Sequence, residues 1–220
     1  MCGSAVRNKI IWAILVLFLV LASYSTSHAT LMTASTDGGT AIVDFNVLIT
    51  GNTMDITLDN LSPTTLDSGS GINAPGIVSF GFNLIDPNLV LNSWSFKTST
   101  IPDLTSRWAR VNKVGNLRLD VQFSTNNATP DGALYNPSAT TLPNGSKTSY
   151  TTTAYMQLVF DKVPAIDDTY QYSPYVWVKN VGLNGDGSIK LTPEPGTFIL
   201  IGSGLLGLSI YHRRRTKFKS

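Results

Sequence analysis

The stretch from residue 30 to residue 192 has neither histidine nor cysteine, which limits the chemistry it can perform. The two histidines of the chain are His28 and His212, and its single cysteine is Cys2. A Ser-His-Asp or Cys-His nucleophile and the usual zinc ligand sets are therefore excluded from this stretch. It can also form no internal disulfide.

Carboxylates are the remaining candidates for catalysis, because paired acids can hydrolyse glycosidic bonds. Asp161, Asp167 and Asp168 lie in a predicted loop between two strands. With 13 aspartates in the stretch, neighbouring carboxylates are expected by chance, and we interpret them as turn and surface residues. We therefore predict no catalytic residue and no enzymatic activity, with a glycan-active enzyme as the weaker alternative.

The segment Asn184-Gly-Asp186-Gly-Ser188 has the alternating oxygen side chains of a calcium loop. Its register fails, because the first ligand would be Gly182 and the twelfth would be Pro193. We interpret it as a glycine-rich turn and expect no cofactor and no metal there. Calcium at another aspartate-rich loop stays open.

Basic and aromatic residues come together at Arg107, Trp108 and Arg110, with Lys113 and Arg118 nearby. Such a group could hold an anionic polysaccharide through charge-assisted hydrogen bonds and ring stacking. The favoured interpretation is a solvated strand face with Trp108 in the core. Trp94 and Trp177, which also lie in strand-like segments, are interpreted as core in the same way.

The charge of the chain is concentrated at its ends. Residues 30–192 contain nine basic residues and 13 aspartates, although the whole chain has a net charge of +2. Nucleic-acid binding requires a basic face, so we expect no nucleic-acid partner for this acidic stretch.

The N-terminus has the three parts of a secretory signal peptide. Arg7 and Lys9 precede an unbroken apolar run over residues 10–22, which predicts a signal helix. Ser27-His28-Ala29 then places small residues where signal peptidase cuts. We predict cleavage between Ala29 and Thr30, giving a signal peptide over 1–29.

The C-terminus has a second set of export features, in residues 193–220. Pro193-Glu194-Pro195 is followed by an uncharged apolar segment over 197–211 and a basic end over 212–220 that includes Arg213, Arg214 and Arg215. The apolar segment predicts a short transmembrane helix of about 22 Å at 1.5 Å per residue, against a hydrocarbon core of about 30 Å. The arginines favour a cytoplasmic tail and an outer domain.

The order of these parts over residues 193–219 resembles the PEP-CTERM sorting signal, a tail also catalogued as the C-terminal domain of ice-binding proteins. The resemblance implies a membrane-embedded exosortase that processes the chain near Pro193-Glu194-Pro195. It also implies a Gram-negative-type host that makes an exopolysaccharide. The expected course is export, a transient inner-membrane intermediate, and then the cell surface or extracellular matrix.

Hydrophobic periodicity between residues 30 and 192 is two, which indicates strands with one dry face. Alternation is clear over 53–59, 78–84, 117–123 and 156–160, and Gly51-Asn52 and Gly115-Asn116 are typical of hairpin turns. The sequence predicts an all-β domain, an antiparallel β-sandwich of about eight strands. We expect a non-catalytic structural or adhesive module, with a carbohydrate-binding module for exopolysaccharide as the alternative.

Overall fold

The period-two patterns form strands in a computed structural model of the chain. The structure describes residues 26–66, 73–99, 101–104, 106–129, 131–138, 149–150, 153–170, 172–183 and 187–193. The strands are β1 Thr26–Thr36, β2 Gly39–Thr50, β3 Thr53–Asn60, β4 Gly76–Leu84, β5 Leu91–Thr98, β6 Trp108–Arg110, β7 Val121–Thr125, β8 Leu134–Tyr135, β9 Ala154–Phe160, β10 Ile166–Asp167, β11 Tyr175–Val181 and β12 Gly187–Leu191. One short 3-10 helix spans Asn126–Ala128.

The first sheet has the order β1-β2-β3-β9-β5, and all neighbouring strands are antiparallel. Buried and more exposed residues alternate along β2 and β3, as expected when one face packs on a core and the other meets water. A two-residue turn joins these strands. Gly51 adopts a φ of +59° there, a left-handed conformation that glycine reaches without steric cost.

The second sheet has the order β12-β11-β4-β7-β6, and β8 and β10 also pair with β4. Strands β4 and β7 are buried on both faces. Their inner face packs on the first sheet, whereas loops cover the outer face. On that outer side Val78 packs in a cluster with Val114 and Tyr135, and Leu117 and Leu119 pack against Tyr175. The second sheet is therefore the middle layer of the domain.

Five aromatic rings hold the two sheets together. Phe80 of β4 lies with its ring centroid 6.2 Å from that of Phe45, 6.2 Å from Phe96, 5.9 Å from Trp108 and 5.7 Å from Phe123. Phe45 and Phe96 come from the first sheet, and the other three come from the second. Aromatic rings bury large apolar areas, so this cluster fixes the sheets face to face.

A buried side-chain amide links the two sheets at one edge through hydrogen bonds. Asn73 is fully buried, and its Nδ2 donates to the carbonyl oxygens of Thr40 at 3.0 Å and Pro63 at 2.9 Å. Its Oδ1 accepts a hydrogen bond from the Gly182 N–H at 2.8 Å. A Cβ on Gly39 would lie 2.4 Å from the Gly182 nitrogen, so this close approach of the two backbones requires glycine.

The prediction of an all-β fold with antiparallel sheets is confirmed, but two details differ. The described residues contain twelve strands rather than about eight, because short strands such as β6, β8 and β10 carry too few residues to show periodicity. The predicted strand over 117–123 is a strand only from Val121, and Leu117 forms an isolated bridge with Val114. The predicted signal helix and the transmembrane helix over 197–211 lie outside the described residues. No helix within the described part of the chain is long and apolar enough to cross a bilayer.

Candidate functional site

The predicted processing motif follows the last strand of the second sheet directly. Strand β12 ends at Leu191, which pairs with Val176, and only Thr192 separates it from Pro193. Thr192 and Pro193 are half-buried, whereas Glu194, Pro195 and Arg213–Arg215 lie outside the described residues. The tail thus leaves the domain from an edge strand.

The predicted signal peptidase site lies within β1. Ala29 pairs with Asn46 and Thr30 pairs with Phe45, so Thr26–Ala29 belong to the same strand as the residues that follow. Strand β2 also pairs with β3 over Val43–Thr50. This second partner holds β2 in the sheet whether or not the first four residues of β1 are present.

Two of the three carboxylates considered for an acid pair accept hydrogen bonds from residues in loops. Asp161 Oδ1 accepts the Val90 N–H at 3.0 Å. Asp167 Oδ1 accepts the Thr169 N–H at 3.0 Å and its hydroxyl at 2.6 Å. Asp168 is exposed. These contacts match the interpretation of the three residues as turn and surface aspartates.

The structure separates the members of the predicted glycan-contact group. Trp108 is fully buried, and its indole N–H donates to the Gly132 carbonyl at 2.8 Å. Arg107 forms a salt bridge with Asp131 at 2.9 Å, and Arg110 is exposed. The suggestion that Trp108 stacks on a sugar is therefore wrong, because both faces of its ring pack in the core, next to Phe80 and Phe96.

A buried polar network lies beneath the loops that cover the second sheet. The Tyr175 hydroxyl lies 2.9 Å from Ser79 Oγ and accepts a hydrogen bond from Gln122 Nε2 at 2.5 Å. Ser79 donates its own proton to the Phe123 carbonyl at 2.8 Å, so the Tyr175 hydroxyl donates to Ser79. Burial raises the pKa of Tyr175, and the hydrogen bond that its hydroxyl accepts from Gln122 opposes this rise. All three side chains make hydrogen bonds inside the domain.

Trp177, which the sequence suggested as core, lies half-buried on the outer face of the second sheet. It lines a pocket of about 360 Å³ together with Val111, Lys113 and Ala128. The Nζ atoms of Lys179 and Lys190 lie 5.2 and 5.3 Å from its ring centroid. Strand alternation could have revealed this position: with Val176 and Val178 facing the core, Trp177 and Lys179 face outward.

A second concave surface lies on the outer face of the first sheet, around Tyr155. The Tyr155 side chain is 40% exposed. Together with Lys97, Thr98 and Pro102 it lines an open pocket of about 570 Å³. The side chains around Tyr155 bond mainly to one another, as Gln157 Nε2 does when it donates to Asp55 Oδ1 at 2.8 Å. This surface has one aromatic ring and mixed charge.

Comparison with known proteins finds a match for the C-terminal segment. Residues 191–215 match the family model of the PEP-CTERM protein-sorting motif. No curated protein and no solved structure matches the chain. The resemblance of the C-terminal segment to this motif is confirmed, and it is limited to that segment.

Proposed function

We propose that this protein is exported across the inner membrane, is processed by an exosortase at Pro193-Glu194-Pro195, and serves as a structural or adhesive component of the cell surface or extracellular matrix. The observation that carries the proposal is the sorting motif over residues 191–215. The basic residues Arg213–Arg215 follow the apolar segment of the tail and favour a cytoplasmic position. A signal peptide at residues 1–29 would send the domain to the outer side. Signal peptidase, exosortase and, transiently, the inner membrane are the partners that this route requires.

The position of the motif favours processing in the folded protein. Pro193 and Pro195 restrict the backbone to extended conformations, and the chain reaches them one residue after β12 ends. An extended segment at the membrane surface is accessible to a protease-like cleft. Cleavage after β12 would leave every strand of the domain intact.

A non-catalytic role for the mature domain is supported by how its polar residues are used. Asp167 accepts hydrogen bonds within its own loop, Asp161 binds the segment before β5, and Tyr175 binds its buried neighbours. The stretch 30–192 contains no histidine or cysteine. A well-packed sandwich whose polar side chains support its own loops suits a structural module.

Mass spectrometry of the exported form tests the sorting step. The full chain would be expressed in an exosortase-positive host and in its exosortase deletion strain. We expect a shortened form ending near Pro195 only in the first host. Changing Pro193, Glu194 and Pro195 together to alanine should abolish shortening, whereas the neighbouring Thr192→Ala should not. An intact tail in both hosts, or shortening of the triple variant, would refute the proposal.

A further inference from the structure

Three lysines lie around Trp177, one in the pocket beside it and two next to its ring. We call the recess the Trp177 pocket and define it by Trp177, Lys113, Val111 and Val114; Lys179 and Lys190 flank the ring outside this lining. Lys113 and the two valines line it together with the indole. Trp177 and Lys190 are cross-strand partners, and Lys179 is two residues further along β11. All three side chains therefore lie on one face of the sheet.

Two of the ammonium groups lie next to the indole ring. The Nζ atoms of Lys179 and Lys190 lie 5.2 and 5.3 Å from the Trp177 ring centroid, within the distance of about 6 Å at which cation–π attraction acts. The ring itself is fixed, because it packs against both outer clusters and lies beneath the turn at Gly115. The result is a pair of positive charges on a rigid support.

These charges lack acidic partners among the described residues. The ion pair found there joins Arg107 to Asp131, and none of the three lysines lies within 4.0 Å of a carboxylate that the structure describes. This grouping is unexpected in a stretch that has nine basic residues against 13 aspartates. Like charges repel, and cation–π contacts offset only part of that cost. A bound anion would offset the rest.

We propose that the Trp177 pocket and the ring surface next to it bind an acidic polysaccharide, with sugar carboxylates at Lys113 in the pocket and at Lys179 and Lys190 beside the ring. Ammonium groups form charge-assisted hydrogen bonds to carboxylates, and the indole edge with Val111 and Val114 offers an apolar wall to the C–H surface of a sugar ring. The pocket volume of about 360 Å³ falls within the range of about 300–1,000 Å³ that is typical of ligand sites. This inference rests on the proposed function, which places the domain outside the cell.

A second copy of the chain is the competing occupant, because the opposite face of the domain contains several aspartates beside Lys97. Asp44, Asp55 and Asp59 lie on the outer face of the first sheet, in strands β2 and β3. That face is an open sheet surface, whereas the Trp177 pocket is a recess bounded by the turn at Gly115. A recess fits a projecting sugar unit better than it fits a sheet face.

Affinity electrophoresis of the full chain in detergent tests the ligand class without depending on sorting. Polygalacturonate in the gel should retard the protein, and neutral dextran should not. The double variant Lys179→Gln/Lys190→Gln should weaken polygalacturonate binding roughly tenfold, since each exposed charge pair contributes a factor of up to about five. The matched double variant Lys97→Gln/Lys162→Gln has the same net charge and should bind within twofold of the unchanged chain. Trp177→Phe, which keeps an aromatic ring at this position, should weaken binding less than the lysine double variant.

Three outcomes would overturn the inference. One is no retardation by polygalacturonate, and another is equal weakening by the two double variants, which would indicate diffuse charge attraction. The third is self-association in analytical ultracentrifugation that only Lys179→Gln/Lys190→Gln abolishes, which would assign the pocket to a second copy. Loss of polysaccharide binding leaves tail processing unaffected, and a failure of tail processing leaves this binding assay unaffected, so the two proposals fail independently.

Discussion

Substituting Tyr175→Phe removes one hydroxyl group from the buried layer between the second sheet and its covering loops. That hydroxyl accepts from Gln122 Nε2 at 2.5 Å and donates to Ser79 Oγ at 2.9 Å. Gln122 is fully buried, and its Oε1 already has no hydrogen-bond partner. The substitution therefore removes the hydrogen bond of the Gln122 side-chain amide to Tyr175, while Ser79 keeps its bond to Phe123.

The expected loss of stability follows from this count of partners. A buried polar group left without a partner costs about 1–3 kcal/mol, and the substitution affects Gln122 fully and Ser79 in part. We expect a loss of about 2–3 kcal/mol, which lowers the Tm of a domain of this length by about 5–10 °C. Replacing both partners by apolar groups is nearly neutral, so Tyr175→Phe/Gln122→Met should regain most of the lost stability.

Thermal unfolding followed by circular dichroism measures these values for the unchanged chain, the two single variants and the double variant. The reasoning predicts that the double variant is more stable than Tyr175→Phe alone. A double variant whose loss equals or exceeds the sum of the single losses would refute it.

The pH dependence gives a second readout. Because the folded-state pKa of Tyr175 is raised, its contribution is fully present below the unfolded value of about 10 and is lost as pH rises above it. Tyr175→Phe should weaken this alkaline loss of stability.

Four further substitutions test the packing. Trp108→Ala should cost about 3–5 kcal/mol in thermal unfolding, because it empties a core site; an unchanged Tm would contradict the burial of this ring. Asn73→Ala should cost about 2–3 kcal/mol through its three lost hydrogen bonds, whereas the exposed control Asn88→Ala should change stability by less than about 0.5 kcal/mol. Gly51→Ala meets no atom within 4 Å and should cost only the backbone strain of about 1–2 kcal/mol. Gly182→Ala should cost more, since its Cβ would also lie 2.6 Å from the Asp37 Cβ; equal Tm values for these two variants would argue against the close approach.

The sequence predicted the long strands well because their register is imposed by burial. Strands β2, β3 and β9 alternate apolar and polar residues, and a shift of one residue would turn the whole apolar set to water. Strand β1 escaped prediction because it contains few large apolar residues, and only Met32 is fully buried in it. Its pairing with β2, which local sequence does not specify, makes it a strand.

The candidate site was harder to predict than the fold. The sequence drew attention to Trp108, whose basic neighbours made it resemble a sugar platform, but the ring packs against Phe80 and Phe96. It assigned Trp177 to the core, although this ring lies on the outer face beside two lysines. The alternation of Val176 and Val178 with Trp177 could have shown which way the ring faces, but only the pairing of β11 with β12 places Lys190 beside it.

The sequence by itself contains the sorting signal of this protein, and its lack of histidine and cysteine over residues 30–192 restricts the chemistry of the domain. Pro193-Glu194-Pro195, the apolar segment after it and Arg213–Arg215 are local features, and their meaning depends on order along the chain rather than on folding. The tertiary structure decided which side chains of the domain remain available. Trp177, Lys113 and Lys190 are far apart in sequence, and only the fold brings Lys113 into the pocket that Trp177 lines and Lys190 opposite Trp177 across β11 and β12.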